Sequence, residues 1–170
     1  MRARAERDDL SDPLAAAQAR VAELELALCS GAERDAVTGV ASLARLRTTL
    51  ESECQRAQRQ GWPLSLAVLD IDGFRKINAR EQHLGGDAAL RTVGNATRRL
   101  AGPDDLVART GSDEFALVMV GVQLAEADAR CQGLMAVLEN EPTDGEQGSV
   151  TVSVGVAERQ PRQDPGSLLW

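Results

Sequence analysis

One polar segment between two apolar runs most constrains the fold of this chain. The runs are residues 106–108 and 116–120, and the segment 109–115 between them contains a glycine and two carboxylates. Apolar runs of this length on either side of a glycine-bearing break are typical of a β-hairpin. We therefore predict two antiparallel strands whose turn presents the side chains of Asp113 and Glu114.

A second group of carboxylates lies at the end of another apolar run. Asp70 and Asp72 follow residues 64–69, and the segment 64–70 is short and apolar enough to be a buried strand. Strand ends that present carboxylates can hold divalent cations for phosphate chemistry. The sequence thus predicts two acidic strand ends.

Charge and aromatic content argue against nucleic acid as a partner. The formal net charge is −7, and the 170 residues include two Trp, two Phe and no Tyr, which disfavours both a phosphate-backbone footprint and a base-stacking platform. The cysteines, Cys29, Cys54 and Cys131, have no metal-ligand spacing and fit a reduced compartment. No run approaches the roughly 20 apolar residues that span a bilayer. We expect a cytoplasmic protein without a membrane segment.

Periodicity predicts the remaining elements and an α+β fold. We expect helices at 42–60, 86–100 and 124–139, a helical turn at Phe74–Arg80, and a last strand at 150–156, where valines alternate. In this order they favour a mostly antiparallel central sheet flanked by helices. The carboxylate-bearing ends of the central strands would then meet at one edge, which suits metal-assisted phosphoryl or nucleotidyl transfer.

The first 34 residues form a separate predicted segment. Apolar residues between 10 and 28 recur at alternating spacings of four and three, as in a heptad seam: Leu10, Leu14, Ala17, Val21, Leu24 and Leu28. A seam this short fits either a coiled coil or an amphipathic helix that packs on its own domain, and both remain open. We assign 1–34 to an N-terminal helical or coiled-coil segment and 35–170 to a second domain.

Five motifs of the second domain resemble those of the GGDEF family of diguanylate cyclases. Residues 35–39 (DAVTG) match the entry motif D-x-L-T-G, 69–78 (LDIDGFRKIN) resemble L-D-I-D-x-F-K-x-I-N, 83–87 (HLGGD) match G-H-x-x-G-D without its first glycine, 109–115 (RTGSDEF) resemble R-x-G-G-D-E-F, and 151–157 (TVSVGVA) are similar to T-x-S-I-G-V-A. Each motif is weak alone, but five in the family's order form a specific match.

The resemblance implies a fold and a reaction. The fold would be a palm-like, nucleotide-cyclase or ferredoxin-like sheet, preceded by an N-terminal helix. In the reaction, two GTP molecules condense to cyclic di-GMP and release two pyrophosphates. The 3′-hydroxyl of one GTP attacks the α-phosphate of the other with the help of Mg²⁺ or Mn²⁺. Each protomer would hold one GTP, so the resemblance also implies a homodimer.

The positions of the motifs imply roles for individual residues. Metal binding falls to the side chains of Asp70 and Asp113 and to the backbone carbonyl of Ile71. Asp113 and Glu114 are the catalytic candidates, Glu114 for activation of the hydroxyl. The substrate-binding candidates are the residues that would contact the guanine edge or approach the phosphates: Asn78, Asp87, Gly73, Phe74, Gly111 and Ser112.

The chain departs from the family pattern at several positions. Ser112 stands for the second glycine of the signature, Ala79 for an acidic residue, and Gly102 for the arginine of the inhibitory product site, of which only Asp105 matches. The sequence stops where a final helix with phosphate-binding cations would begin, so we expect either a sequence that is a fragment or a domain that lacks this helix. These departures keep open two alternatives: an inactive GGDEF domain that binds GTP or a protein partner, and a purely structural dimerisation domain.

Overall fold

The structure, a computed structural model, describes residues 33–80, 84–140 and 149–160. These residues belong to one structural unit that begins at Glu33. The predicted N-terminal helix with its seam at 10–28, the thiol of Cys29 and the start of the HLGGD motif at His83 all lie outside the described residues. No helix of the described part is long and apolar enough to cross a membrane.

The described elements follow the predicted α+β order. The helices are α1 (Leu43–Gln60), α2 (Phe74–Arg80), α3 (Leu84–Leu100) and α4 (Leu124–Asn140). The strands are β1 (Leu64–Ile71), β2 (Leu106–Arg109), β3 (Glu114–Val120) and β4 (Val152–Glu158). The sheet order is β2-β3-β1-β4 with every pair antiparallel. The predicted hairpin is therefore β2–β3, and the predicted antiparallel sheet with flanking helices is confirmed.

Local chemistry sets the ends of α1. The Ser42 side chain accepts a hydrogen bond from the backbone N–H of Arg45 at 3.3 Å and so caps the helix one residue before Leu43. Gly61 ends the helix with φ 68° and donates its backbone N–H to the Ala57 carbonyl, a left-handed C-cap that glycine adopts without a Cβ penalty. The helix predicted at 42–60 is thus confirmed to within one residue.

The sheet separates two hydrophobic layers. Side chains alternate along the strands, so successive residues pack on opposite faces. One layer joins α3 and α4 to the sheet residues Ala67, Leu69, Ile71, Phe115, Leu117 and Met119. The other joins α1 to the sheet residues Leu64, Leu66, Ala108, Ala116 and Val118.

Among the described residues, helix α1 covers only part of the sheet face on which it packs. Leu66 is 2% exposed beneath α1, whereas Val68, the next residue of β1 on that face, is 36% exposed. Asp70 follows on the same face and is also exposed. The end of β1 that carries Asp70 is therefore open to solvent, and this opening positions the candidate site.

Candidate functional site

The acidic ends of β1 and β3 lie side by side. Asp70 and Glu114 are directly opposed in the antiparallel register of the two strands. The backbone N–H of Ile71 donates to the Asp113 carbonyl at 3.1 Å, which fixes the residue before β3 against the end of β1. The structure therefore brings Asp70 and Ile71 next to Asp113 and Glu114. This agrees with the expectation that the carboxylate-bearing strand ends meet at one edge of the sheet.

The electrostatics of this site suit a cation. Desolvation, together with the negative charges of Asp113 and Asp72, raises the pKa of Asp70 above its ordinary value. A divalent cation between the carboxylates would relieve this repulsion. Within residues 33–80, 84–140 and 149–160, no three acidic, histidine or cysteine side chains form a ready-made metal site. Water and substrate oxygens would have to complete the coordination, as is usual for Mg²⁺ at phosphate-binding sites.

Arg109 connects the signature turn to the entry motif. Its Nη1 lies 3.2 Å from Asp35 Oδ2, its Nε donates to the Gly111 carbonyl at 3.0 Å, and its Nη2 donates to the Ser112 carbonyl at 2.7 Å. Asp35 also accepts hydrogen bonds from the backbone N–H and the hydroxyl of Thr38, at 2.9 and 2.6 Å. One guanidinium group thus holds the two turns together.

Asp35 and Arg109 lie in segments that resemble family motifs, but the sequence alone indicated no role for either residue. Their pairing spans 74 positions of the chain, so spacing alone does not reveal it. The available signal was their chemistry, an aspartate in a turn and an arginine at a strand end, both in segments that resemble family motifs. The structure identifies them as residues that position the signature turn.

Within the signature turn, Ser112 contacts the carboxylate of the next residue. The Ser112 hydroxyl donates to Asp113 Oδ1 at 2.5 Å, and the Ser112 side chain is exposed. At Gly111, by contrast, an added Cβ would lie 2.6 Å from Glu114 Oε2. The serine that replaces a glycine therefore has room, while the remaining glycine leaves space for the Glu114 side chain.

The predicted phosphate contacts lie where α2 begins. Gly73 has φ +68°, a left-handed conformation that side chains rarely adopt. This turn directs the chain from the end of β1 into α2, and the Gly73 carbonyl accepts from the backbone N–H of Lys76 at 2.8 Å. The Phe74 side chain is 7% exposed in the core. The core thus anchors α2 next to the acidic strand ends.

The predicted guanine contacts lie on α2 and α3. Asn78 is half-buried near the end of α2, and Asp87 is in the first turn of α3. Arg91 Nη2 lies 3.2 Å from Asp87 Oδ2, and Arg91 Nε donates to the Val37 carbonyl. The Asp87 carboxylate is therefore paired with the guanidinium group of Arg91, which is held in place by its hydrogen bond to Val37. Ala79 is exposed next to Asn78.

Asp105, the matching residue of the inhibitory product site, is built into the fold. Its side chain is 3% exposed. Oδ2 accepts from the Gly102 backbone N–H at 2.8 Å and from Arg130 at 3.3 Å, while Oδ1 accepts from the Val120 backbone N–H at 3.0 Å. A buried carboxylate with these partners has a structural role in this chain.

Comparison with known sequences identifies related proteins. The family model described as "Diguanylate cyclase, GGDEF domain" matches residues 32–169. The chain is 36% identical over 124 residues to diguanylate cyclase DgcP of Pseudomonas aeruginosa and 32% identical over 124 residues to diguanylate cyclase DgcS of Shewanella oneidensis. The alignments cover 72% and 73% of this chain but 18% and 41% of the relatives. The chain thus spans less than half the length of these curated relatives.

Comparison with solved structures identifies the same fold. The GGDEF domain of DgcB from Caulobacter crescentus, in complex with c-di-GMP, has a TM-score of 0.77 and 28% identity, with 81% of each chain covered. The diguanylate cyclase SiaD of Pseudomonas aeruginosa, in complex with its activator SiaC, has a TM-score of 0.76 and 28% identity, with 94% of this chain and 62% of that chain covered.

Proposed function

The chain belongs to the GGDEF family, and on that premise we propose that it is a diguanylate cyclase that condenses two GTP molecules to cyclic di-GMP and two pyrophosphates. The observation that carries the proposal is the meeting of Asp70 and Asp113 at adjacent strand ends, where the pKa of Asp70 is raised. Acidic groups in such a position are suited to a cation and to the phosphates that it accompanies.

The metal site would be formed by oxygen atoms of three residues. The carboxylates of Asp70 and Asp113 and the carbonyl of Ile71 are hard ligands, which Mg²⁺ and Mn²⁺ prefer. When bound there, the metal would neutralise phosphate charge and lower the pKa of the attacking 3′-hydroxyl. Glu114, exposed and directly opposite Asp70, is in a position to accept the proton of that hydroxyl.

Residues on α2, α3 and the signature turn would hold the substrate. Asn78 and Asp87 would hydrogen-bond the guanine edge and so select GTP over ATP. The backbone N–H groups of Gly73 and Phe74, where α2 begins, would contact phosphate oxygens. Gly111 and Ser112 would border the same phosphates, in a turn that Arg109 fixes through both of their carbonyls. One GTP would be bound per protomer, and a homodimer would place two of them face to face in the cytoplasm, where GTP is available.

A second candidate function is a GTP-binding module without turnover. One observation favours it: Ser112 donates a hydrogen bond to Asp113 Oδ1 at 2.5 Å, and this bond occupies an acceptor site of a proposed metal ligand. A metal held weakly by Asp113 could still accompany GTP into the site while contributing too little to the reaction.

Incubation of the purified chain with GTP and Mg²⁺, followed by chromatography of the nucleotides, tests the proposal. We expect cyclic di-GMP from the unmodified chain and roughly 100-fold less or none from Asp113→Ala, since a lost metal ligand costs several kcal/mol of transition-state stabilisation. Asp128→Ala, at an exposed acidic residue of α4, is the matched control and should retain full activity. Binding of GTP without any product would favour the second candidate.

A further inference from the structure

Gly86 makes an unusually close approach to Asn78. Gly86 is buried in the first turn of α3, and an ideal Cβ built on it would lie 1.8 Å from Asn78 Oδ1 and 2.8 Å from Asn78 Cγ. Non-bonded carbon atoms in proteins do not approach other heavy atoms this closely. The position of the Asn78 amide therefore depends on the absence of a side chain at residue 86.

The backbone gives no separate reason for glycine at this position. The φ angle of Gly86 lies outside the left-handed region, and the three nearest heavy atoms to the added Cβ all belong to Asn78. Glycine within a helix is less stable than alanine. Gly133 on α4 differs from Gly86, because a Cβ added to Gly133 would have no neighbour within 4 Å. Gly133 is therefore a helical glycine that no neighbouring side chain constrains.

We propose that Gly86 is a positioning residue for guanine recognition, because the absence of a side chain at residue 86 leaves the space that the Asn78 amide occupies. This inference rests on the proposed function, in which Asn78 and Asp87 read the guanine edge. Arg91 pairs with the Asp87 carboxylate at 3.2 Å. Gly86 would set the position of Asn78, the other proposed guanine contact.

A methyl group at residue 86 would displace the side chain of Asn78 rather than the helices. The atoms in conflict are at the end of a side chain with two rotatable bonds, so a change of rotamer relieves the overlap. Gly86→Ala should therefore fold, while its Asn78 amide leaves the position that it has in the unmodified chain. The variant loses base selectivity and keeps the phosphate contacts.

Equilibrium binding of α,β-methylene analogues of GTP and ATP, measured by calorimetry with Mg²⁺, tests the inference. For Gly86→Ala we expect the preference for the guanine analogue to fall at least about tenfold, or about 1.4 kcal/mol, since hydrogen bonds from Asn78 to the base are lost. Affinity for the adenine analogue should change less than about threefold. Gly133→Ala, the matched control, should bind both analogues as the unmodified chain does.

A double-mutant cycle shows whether Gly86 acts through Asn78. In an Asn78→Ala background, Gly86→Ala should reduce guanine preference no further, because the displaced group is already gone. Equal further losses in that background, or unchanged guanine preference in Gly86→Ala alone, would overturn the inference. A chain without guanine preference before any substitution would contradict the proposed function instead.

Thermal unfolding without nucleotide gives a readout that does not depend on the proposed function. In the Asn78→Ala background, Gly86→Ala should raise the midpoint of thermal unfolding, since alanine is favoured over glycine in a helix. With Asn78 present, the same change should leave the midpoint unchanged or lower it. An equal rise in both backgrounds would show that the two residues are not coupled and would overturn the inference.

Discussion

Among single residues, Ser112 of the signature turn forms a hydrogen bond with the carboxylate of the next residue, Asp113. Ser112 donates a 2.5 Å hydrogen bond to Asp113 Oδ1. A cation that binds Asp113 through Oδ1 would share this oxygen with the hydroxyl or displace the bond. If the proposed metal site is correct, Ser112 would therefore weaken metal binding at Asp113.

We expect Ser112→Gly to bind Mn²⁺ about five times more tightly, because a hydrogen bond of roughly 1 kcal/mol no longer competes for Asp113. Titration of Mn²⁺ by electron paramagnetic resonance, with the α,β-methylene analogue of GTP present, measures the change. Ser112→Thr keeps the hydroxyl and should bind as the unmodified chain does. Weaker binding by Ser112→Gly would show that the serine supports the metal ligand instead.

Asp105 is a structural residue, and this gives a prediction about both stability and regulation. Asp105→Ala would leave two backbone N–H groups and Arg130 without their acceptor, at a cost of about 2–4 kcal/mol in the free energy of unfolding. Asp104→Ala, at the exposed neighbouring residue, should cost less than about 0.5 kcal/mol. Urea denaturation compares the two variants, and similar losses in both would contradict the structural role.

The same residue leads us to expect no inhibition by the product through this loop. Gly102 supplies no cation, and the carboxylate of Asp105 is already occupied by partners within the fold. Initial rates should therefore be unchanged by added cyclic di-GMP at micromolar concentrations. Inhibition that disappears in a folded Asp105 variant would contradict this expectation.

At the scale of elements, the Asp35–Arg109 ion pair joins the entry turn to the β2–β3 turn. Burial acts to raise the pKa of Asp35, but the hydrogen bonds from Thr38 and the charge of Arg109 outweigh it and lower the pKa below the ordinary value of 3.8. Asp35 therefore stabilises the fold above pH 3.8, and this contribution is lost as the pH falls through the lowered folded-state pKa.

We expect Asp35→Asn to be less stable at pH 7 by about 1–3 kcal/mol, because charge-assisted hydrogen bonds are lost. The deficit should shrink as the pH falls below about 3.8, where the unmodified chain loses the same contribution. Urea denaturation from pH 7 to pH 3 measures the trend, with Asp128→Asn on α4 as the control. A deficit that is constant with pH would contradict the assignment.

Most elements could be predicted because their signals are local. Gly61 marks the end of α1, and alternating valines indicate β4, although the strand occupies Val152–Glu158 rather than 150–156. Val150 is 4% exposed, so burial extends the valine pattern beyond the hydrogen-bonded ladder. A hydrophobic pattern indicates which residues are buried, but it does not indicate where the hydrogen-bonded pairing of a strand begins and ends.

Contacts between distant segments could not be predicted from spacing. The Arg109–Asp35 pair and the fit of Asn78 against Gly86 exist only once α2, α3 and the two turns are packed. The acidic strand ends could be predicted because carboxylates that follow apolar runs can be recognised in the sequence. The residues that position these carboxylates can be recognised only in the folded structure.

At the scale of the whole molecule, the proposed reaction requires more than one chain. Each site would supply one GTP, and the two 3′-hydroxyl groups attack across a pair of protomers. The heptad pattern at 10–28 remains a prediction, either of a coiled coil that joins two chains or of an amphipathic helix that packs on its own domain. The rate per protomer should then rise with protein concentration until the dimer is fully formed.

The most direct test of this account is the rate and identity of the product as a function of protein concentration. Purified chain would be incubated with GTP and Mg²⁺ from nanomolar to high micromolar concentrations, and the nucleotides would be separated and identified by mass. We expect cyclic di-GMP as the product, with a rate per protomer that rises with protein concentration and then levels off. Absence of cyclic di-GMP at every concentration, from a chain that is folded and binds GTP, would contradict it.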